Sequence, residues 1–219
     1  MSVEAVFHYT LPDTPYAMWV RDELHAYLRL PEDGTRVEVV GGEIIVSPGP
    51  TFDHNAIVAD IQEGLILAKA GDSAFPWRAV QTTDLNLVEI GDGYIPDLIV
   101  MDADIVAEAR AAKSKHPFSH QLDLVVEVTS PTNAAFDREP VFGRDRPKKT
   151  KWTGYAQCVI PYYLLIDRDP KNPGVTLYAN PDRRAGRYEA VEEWKFGGTV
   201  ALPEPFGFSF DTSAWEPWA

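Results

Sequence analysis

The apolar positions switch repeatedly between helical and strand spacing along the chain. From Tyr16 to Leu30, Met18, Trp19, Leu24, Tyr27, Leu28 and Leu30 recur at helical intervals behind a cap at Asp13-Thr14-Pro15, which predicts one helix. Residues 1–15 read as an irregular arm, and Pro31-Glu32-Asp33-Gly34 supplies the turn chemistry that ends the helix. Two β-branched runs within Arg36–Val46 flank Gly41-Gly42 and predict a β-hairpin. Ser47-Pro48-Gly49-Pro50 stops the second strand, and Thr51 or Asp53 opens a helix over His54–Lys69 with Ile57, Val58, Ile61, Leu65 and Leu67 or Ala68 as its apolar stripe.

Farther on, Trp77–Val88 predicts a strand or strand pair, followed by a turn at Glu89–Gly93. Two apolar runs come next, Tyr94–Met101 and Leu122–Thr129, separated by an Ala-rich helical stretch over Asp104–Lys115. Residues 132–147 lack periodicity and read as a loop. Lys148–Gln157 predicts a short helix and Tyr162–Asp167 a buried strand. Val175–Tyr178, Tyr188–Val191 and Thr199–Leu202 suggest an antiparallel β-meander, with Phe206, Phe208, Phe210 and Trp215 packing its end onto the core. The expected class is α+β, a single domain over residues 1–219 with no internal repeat.

Two acids disturb this pattern. Asp97 and Glu127 lie inside β-prone sequence with apolar residues on both sides, where an unpaired ionised carboxylate costs several kcal/mol, roughly. Alternation places Ile95, Asp97 and Ile99 on one face of the first strand, and Asp123, Val125, Glu127 and Thr129 on one face of the second. If the strands are neighbours, the two carboxylates can share a hard, oxygen-preferring cation such as Mg²⁺. Such an ion activates water and clamps a phosphoryl oxygen. A lysine would complete a hydrolytic site. Lys151 opens a predicted helix leading into the next buried strand, and Lys148 and Lys149 are its rivals. Glu43 and Glu38, on either side of the hairpin turn, compete as a third acid. His54 could hold a phosphate or a water, and Tyr155 could bond a site carboxylate.

Composition narrows the classes. The 219 residues carry a formal net charge of −13, which argues against a non-specific nucleic-acid binder but leaves room for a local site of opposite field. A single cysteine, Cys158, rules out an internal disulfide framework and fits a reducing cytosol. No signal peptide or bilayer-length apolar run is visible, so a cytoplasmic protein with no membrane partner is expected.

The ordered motifs resemble the Uma2 family, formerly a domain of unknown function, of restriction-endonuclease-like PD-(D/E)xK nucleases. The resemblance rests on Leu30–Ile45, Ser47-Pro48 with His54, Pro96-Asp97, Asp123–Pro131, and Lys151 with Tyr155-Ala156, Pro161, Tyr163 and Asp167. It continues to Phe208–Asp211 and Trp215. It implies a restriction-endonuclease-like core, with a mixed central sheet flanked by helices, and a metal-dependent endonuclease acting on DNA, paired as a homodimer to cut two strands. It also implies a divalent ion, Mg²⁺ or Mn²⁺, held by Asp97, Glu127 and the Val128 carbonyl, with Lys151 as the site lysine and Glu43 as the added acid. The chain departs from the family in a longer segment from Asp137 to Lys151. That segment carries Arg144, Arg146, Lys148 and Lys149 as candidate DNA contacts. It also has Val159 where the family has glycine. A rival reading keeps the fold and drops the chemistry, leaving a binding or assembly module.

Overall fold

The computed structural model describes residues 11–141 and 149–218. The predicted first helix is two helices, α1 (Pro15–Val20) and α2 (Glu23–Tyr27), broken at Asp22, which takes a left-handed φ of 58°. A continuous helix would place Leu24 about 240° round from Met18. The break lets Met18, Trp19 and Leu24 enter one cluster with Val37 and Val39.

The hairpin forms as β1 (Arg36–Val40) and β2 (Glu43–Ser47), with Glu38 opposite Ile45 and Val40 opposite Glu43. Gly41 and Gly42 both have positive φ, 62° and 81°, as a two-residue turn of this kind requires. Their N–H groups donate to the buried Asp92 carboxylate at 2.7 and 3.0 Å. Glu38, Val40, Glu43 and Ile45 share a face of the hairpin, but Glu38 lies mid-strand under the core while Glu43 sits exposed at the turn.

α3 (Phe52–Gly71) is capped by Thr51 and buries His54, Ile57, Val58, Ile61 and Leu65. β3 (Trp77–Gln81) and β4 (Leu85–Leu87) follow. The expected strand Tyr94–Met101 is two strands in two sheets, β5 (Asp92–Tyr94) and β6 (Leu98–Asp102). Pro96 has no N–H to give to a ladder, so the chain crosses between sheets at Ile95-Pro96-Asp97. Asp97 therefore stands just before a strand rather than within one.

After α4 (Ala103–Ala111) and a 3-10 turn at Ser119–Gln121 come β7 (Leu124–Val128), the short helices α5 (Ala134–Asp137) and α6 (Lys151–Gln157), and β8 (Tyr162–Asp167). β9 (Gly174–Asp182) and β10 (Arg187–Trp194) extend the same sheet antiparallel, while β11 (Thr199–Ala201) pairs with β12 (Ser209–Asp211). The C-terminal antiparallel strands thus divide between the central sheet and a separate ribbon.

The sheet orders are β2-β1-β5-β4 and β10-β9-β8-β7-β6-β3, and β7–β8 is the parallel pair that makes the larger sheet mixed. One core packs α3, Phe206, Phe208, Phe210 and Trp215 around Leu98, Val126 and Leu164. A second packs α6 and Tyr94 against Val125 and Tyr163. No helix among the described residues is long and apolar enough to cross a membrane.

Val159, just past α6, takes φ of 58°, a left-handed conformation that costs a β-branched residue about 1–2 kcal/mol. Its side chain is 46% exposed, so little packing offsets that cost. Val159→Gly is expected to stabilise the protein by about 1 kcal/mol in urea unfolding followed by circular dichroism; a loss of stability would contradict the strain.

Candidate functional site

The seam between the two sheets carries the charged core. β6 pairs antiparallel with β7, Leu98 facing Val126, so Asp97 arrives beside Glu127-Val128. Asp97 Oδ2 accepts the Val128 N–H at 2.9 Å, and Oδ1 accepts from Arg36 Nη1 at 2.9 Å. His54 Nε2 also lies 2.9 Å from Oδ1, without the geometry of a hydrogen bond. His54 reaches this place because the Thr51 cap starts α3 against the strand end.

Lys151 is the first residue of α6, held by the Thr150 cap on the Thr153 N–H. A cation at a helix N-terminus opposes the helix dipole, so its placement requires partners elsewhere. It has three. Its Nζ lies 2.9 Å from Glu38 Oε1, 3.1 Å from Glu127 Oε1 and 3.4 Å from Asp137 Oδ1. Lys151 and these three acids are all buried. Tyr155, one turn on along the same helix face, donates its hydroxyl to Glu127 Oε1 at 2.5 Å. The Ile95 N–H donates to Glu38 Oε1 at 2.7 Å. α6 comes this close because Gly154 lies against Tyr94; a Cβ there would stand 2.1 Å from the Tyr94 hydroxyl oxygen.

Three carboxylates around one ammonium cannot all ionise freely. Burial pushes Asp137 up to about 7, despite Lys151, with Glu38 and Asp97 adding repulsion. Burial likewise lifts Glu127 well above its usual range, against the pull of Lys151. On Lys151 burial favours the neutral amine, but Glu127, Glu38 and Asp137 outweigh it and hold the ammonium charged. Asp97 differs. Burial raises its carboxyl, but His54, Arg36 and the Val128 N–H together bring it down to about 2.

A cavity of about 460 Å³ opens onto this cluster, with Glu38, Asp97, Glu127 and Lys151 in its lining and Arg36, His54 and Arg168 among its walls. Ser130, Asn133 and Trp218 also border it. Arg168 is buried, its Nε donating to the Glu216 carbonyl at 3.0 Å.

Of the residues expected from sequence, Asp97, Glu127, Lys151, His54 and Tyr155 converge here. Val128 joins through its N–H to Asp97. Glu43 is placed apart, exposed at the hairpin turn, and Glu38 takes the position beside the lysine. Lys149 is exposed and lies over Gly41 rather than in the cluster. Arg144, Arg146 and Lys148 fall outside the described residues. Sequence reasoning missed Asp137, Arg36 and Arg168. Arg36 had a signal, a cation opening a buried strand; Asp137, amid a stretch without periodicity, had none.

The donor types are those a hard divalent ion prefers, but among the described residues no three of these side chains bring ligand atoms within 4.8 Å of one another. Three carboxylates, Glu38, Asp97 and Glu127, share the cavity lining with Lys151, Arg36 and Arg168, and beside Lys151 neither buried Asp137 carboxylate oxygen has a hydrogen-bond partner. The acids gather around Lys151 rather than around one another. Mg²⁺, however, needs only one or two carboxylates and completes its shell with water and phosphate oxygens.

A family model for Uma2, described as "Putative restriction endonuclease", matches residues 24–213. Among solved structures, a crystal structure of "a putative nuclease belonging to DUF820" from Anabaena variabilis ATCC 29413 superposes with a TM-score of 0.52 at 22% identity, over 83% of this chain and 88% of that one. That likeness is one of fold. No curated protein matches the sequence.

Because Asp137 keeps its proton to about pH 7 in the folded state while its ordinary value is 3.8, the unfolded chain releases that proton first. Stability from this group is present below the ordinary value and declines as pH rises toward about 7. The metal-free protein is expected to lose unfolding free energy from about pH 5 to about pH 7, with a shallower slope in Asp137→Asn. Equal slopes in urea titrations would contradict the assignment.

Proposed function

The chain belongs to the Uma2 family of restriction-endonuclease-like proteins, and from that premise we propose that it is a divalent-metal-dependent endonuclease that hydrolyses DNA phosphodiester bonds at the Asp97–Glu127–Lys151 cavity. The observation that carries this reading is the meeting of Asp97, Glu127 and Lys151 on one cavity wall, with Arg36 and Arg168 beside them. Asp97 and Glu127, with the Val128 main chain, would hold Mg²⁺ or Mn²⁺. When bound, such an ion polarises a phosphoryl oxygen and lowers the pKa of water.

The protein's own groups do the positioning. Arg36 and the Val128 N–H fix the orientation of Asp97, His54 lies against the same carboxylate, and the Tyr155 hydroxyl fixes Glu127. Lys151 presents an ammonium where negative charge develops on the phosphate, and Glu38, rather than Glu43, is the third acid that holds it there. Arg168 offers a guanidinium to a neighbouring phosphate. A net charge of −13 leaves these wall cations as the local attraction for a polyanion. Two copies acting together would cut both strands, and the single cysteine fits work in the cytoplasm.

One observation favours the rival, a silent binding module: Lys151 is engaged by three carboxylates at once, as in a structural ion cluster. Plasmid DNA incubated with the protein separates the two. Cleavage should require Mg²⁺ or Mn²⁺ and fall by about 10³-fold or more in Glu127→Gln, which keeps the side-chain shape. Asp97→Ala should likewise abolish it. Absence of cleavage by the unaltered protein with either ion, on single- and double-stranded DNA, would sink the enzyme reading and leave the module.

A further inference from the structure

On the far side of Arg36 lies a second group of ligand-type side chains that the nuclease reading does not use. Asp22 comes from the α1–α2 break, Asp84 from the β3–β4 connection, and His116 from the segment between α4 and β7. One ligand atom from each lies within 4.8 Å of the others, the one such set of three among the described residues. Asp22 and Asp84 line a cavity of about 220 Å³, together with Trp19, His25 and Arg36.

Acids near a surface gather without a ligand, so His116 decides the matter. Its side chain is only 10% exposed, and neither ring nitrogen has a hydrogen-bond partner. An imidazole always carries a donor or an acceptor on each nitrogen, and leaving both buried and unmet is costly. Nδ1 faces Asp84 Oδ2 at 4.0 Å, too far for a hydrogen bond, with Asp22 completing the triangle. The Trp19 ring, 5.4 Å away centroid to centroid and tilted by 32°, backs the imidazole.

We propose that Asp22, Asp84 and His116 bind a divalent cation of the borderline class, Zn²⁺ foremost, which ties the N-terminal helices to the sheet beside Arg36. One imidazole nitrogen and two carboxylate oxygens form a three-ligand set that Zn²⁺ accepts, with water as a fourth ligand. Ligand bonds of about 2.0–2.2 Å put tetrahedral ligand atoms about 3.4 Å apart, so the set closes by about an ångström on binding. Asp22 supplies that movement, since its side chain is 57% exposed. The Lys115 ammonium, paired with Asp22 Oδ2, is the competitor the ion displaces. His25 and Arg36 are the other basic groups facing this cavity. The ion would join three segments distant in sequence. One of them is the β3–β4 connection, where the Thr82 N–H approaches the Asp97 carbonyl at 3.4 Å.

The test is calorimetric titration of the metal-free full chain with Zn²⁺ in excess Mg²⁺, which keeps the hard-ion site of the nuclease reading out of competition. The unaltered protein should bind one Zn²⁺ per chain. Asp22→Asn should weaken that binding by about tenfold or more, and His116→Phe should abolish it. Lys115→Gln, which removes the competitor, should tighten it. Co²⁺ in place of Zn²⁺ should give visible absorption bands that His116→Phe removes. If His116→Phe does not fold, the exposed substitutions Asp22→Asn and Lys115→Gln decide by moving affinity in opposite directions. Zn²⁺ binding absent from the unaltered protein, or unchanged in Asp22→Asn and Lys115→Gln, overturns the proposal without touching the nuclease reading.

Discussion

A single buried ammonium links the molecule's two larger sheets at their crossover. Lys151 gathers Glu38 from β1, Glu127 from β7 and Asp137 from α5 within 3.4 Å of its Nζ. Burying charges is costly, and removing one partner of such a set leaves the others uncompensated. The surrounding structure supplies the compensation: the Ile95 N–H on Glu38 and the Tyr155 hydroxyl on Glu127. The Tyr163 hydroxyl pins the Asp137 carbonyl at 2.8 Å. A core that only needed stability would use apolar side chains here, since well-packed hydrophobic replacements often do as well or better.

That cluster explains why the cavity lies where it does. The chain crosses from the small sheet to the large one at Ile95-Pro96-Asp97, and both acids at the crossing are engaged, Glu38 by the Ile95 N–H and Asp97 by the Val128 N–H. Arg36, at the start of β1, reaches over the seam to Asp97. The sheets therefore meet through polar groups on the cavity side and through apolar packing of Val40, Tyr94 and Val125 beneath. A strongly depressed acid, Asp97, stands near two acids pushed upward, Glu127 and Asp137. Such a divergence of like groups is found at active sites and in structural ion-pair networks alike.

Much of this was legible in the residues. β1, β2, β7, β8 and α3 follow from local periodicity and turn chemistry, and the awkward acids Asp97 and Glu127 stand out from their apolar neighbours in the sequence itself. The misses share a cause: each depends on contacts distant in sequence. The break at Asp22 serves a cluster completed by Val37 and Val39. The division of Tyr94–Met101 reflects a change of sheet that Pro96 permits and neighbouring strands enforce. Glu38 and Glu43 share a hairpin face, and only the depth of the core over that face chooses between them. Asp137 lies in sequence without periodicity and is placed by α5, Tyr163 and the Arg138 pairing with Asp167. Val159 was visible as a departure from the family's glycine, and its left-handed φ supplies the reason.

The central proposal is that Asp97 and Glu127, beside Lys151, hold a divalent cation, rather than Lys151 and its acids forming a closed structural ion cluster. Anomalous scattering from crystals soaked in Mn²⁺ tests it most directly, because it locates the ion and the lysine together. The account predicts an Mn²⁺ peak in the cavity within bonding distance of Asp97 and Glu127 oxygens, with Lys151 still against Glu38. A cavity without Mn²⁺, with Lys151 still bound to Glu38, Glu127 and Asp137, would contradict it.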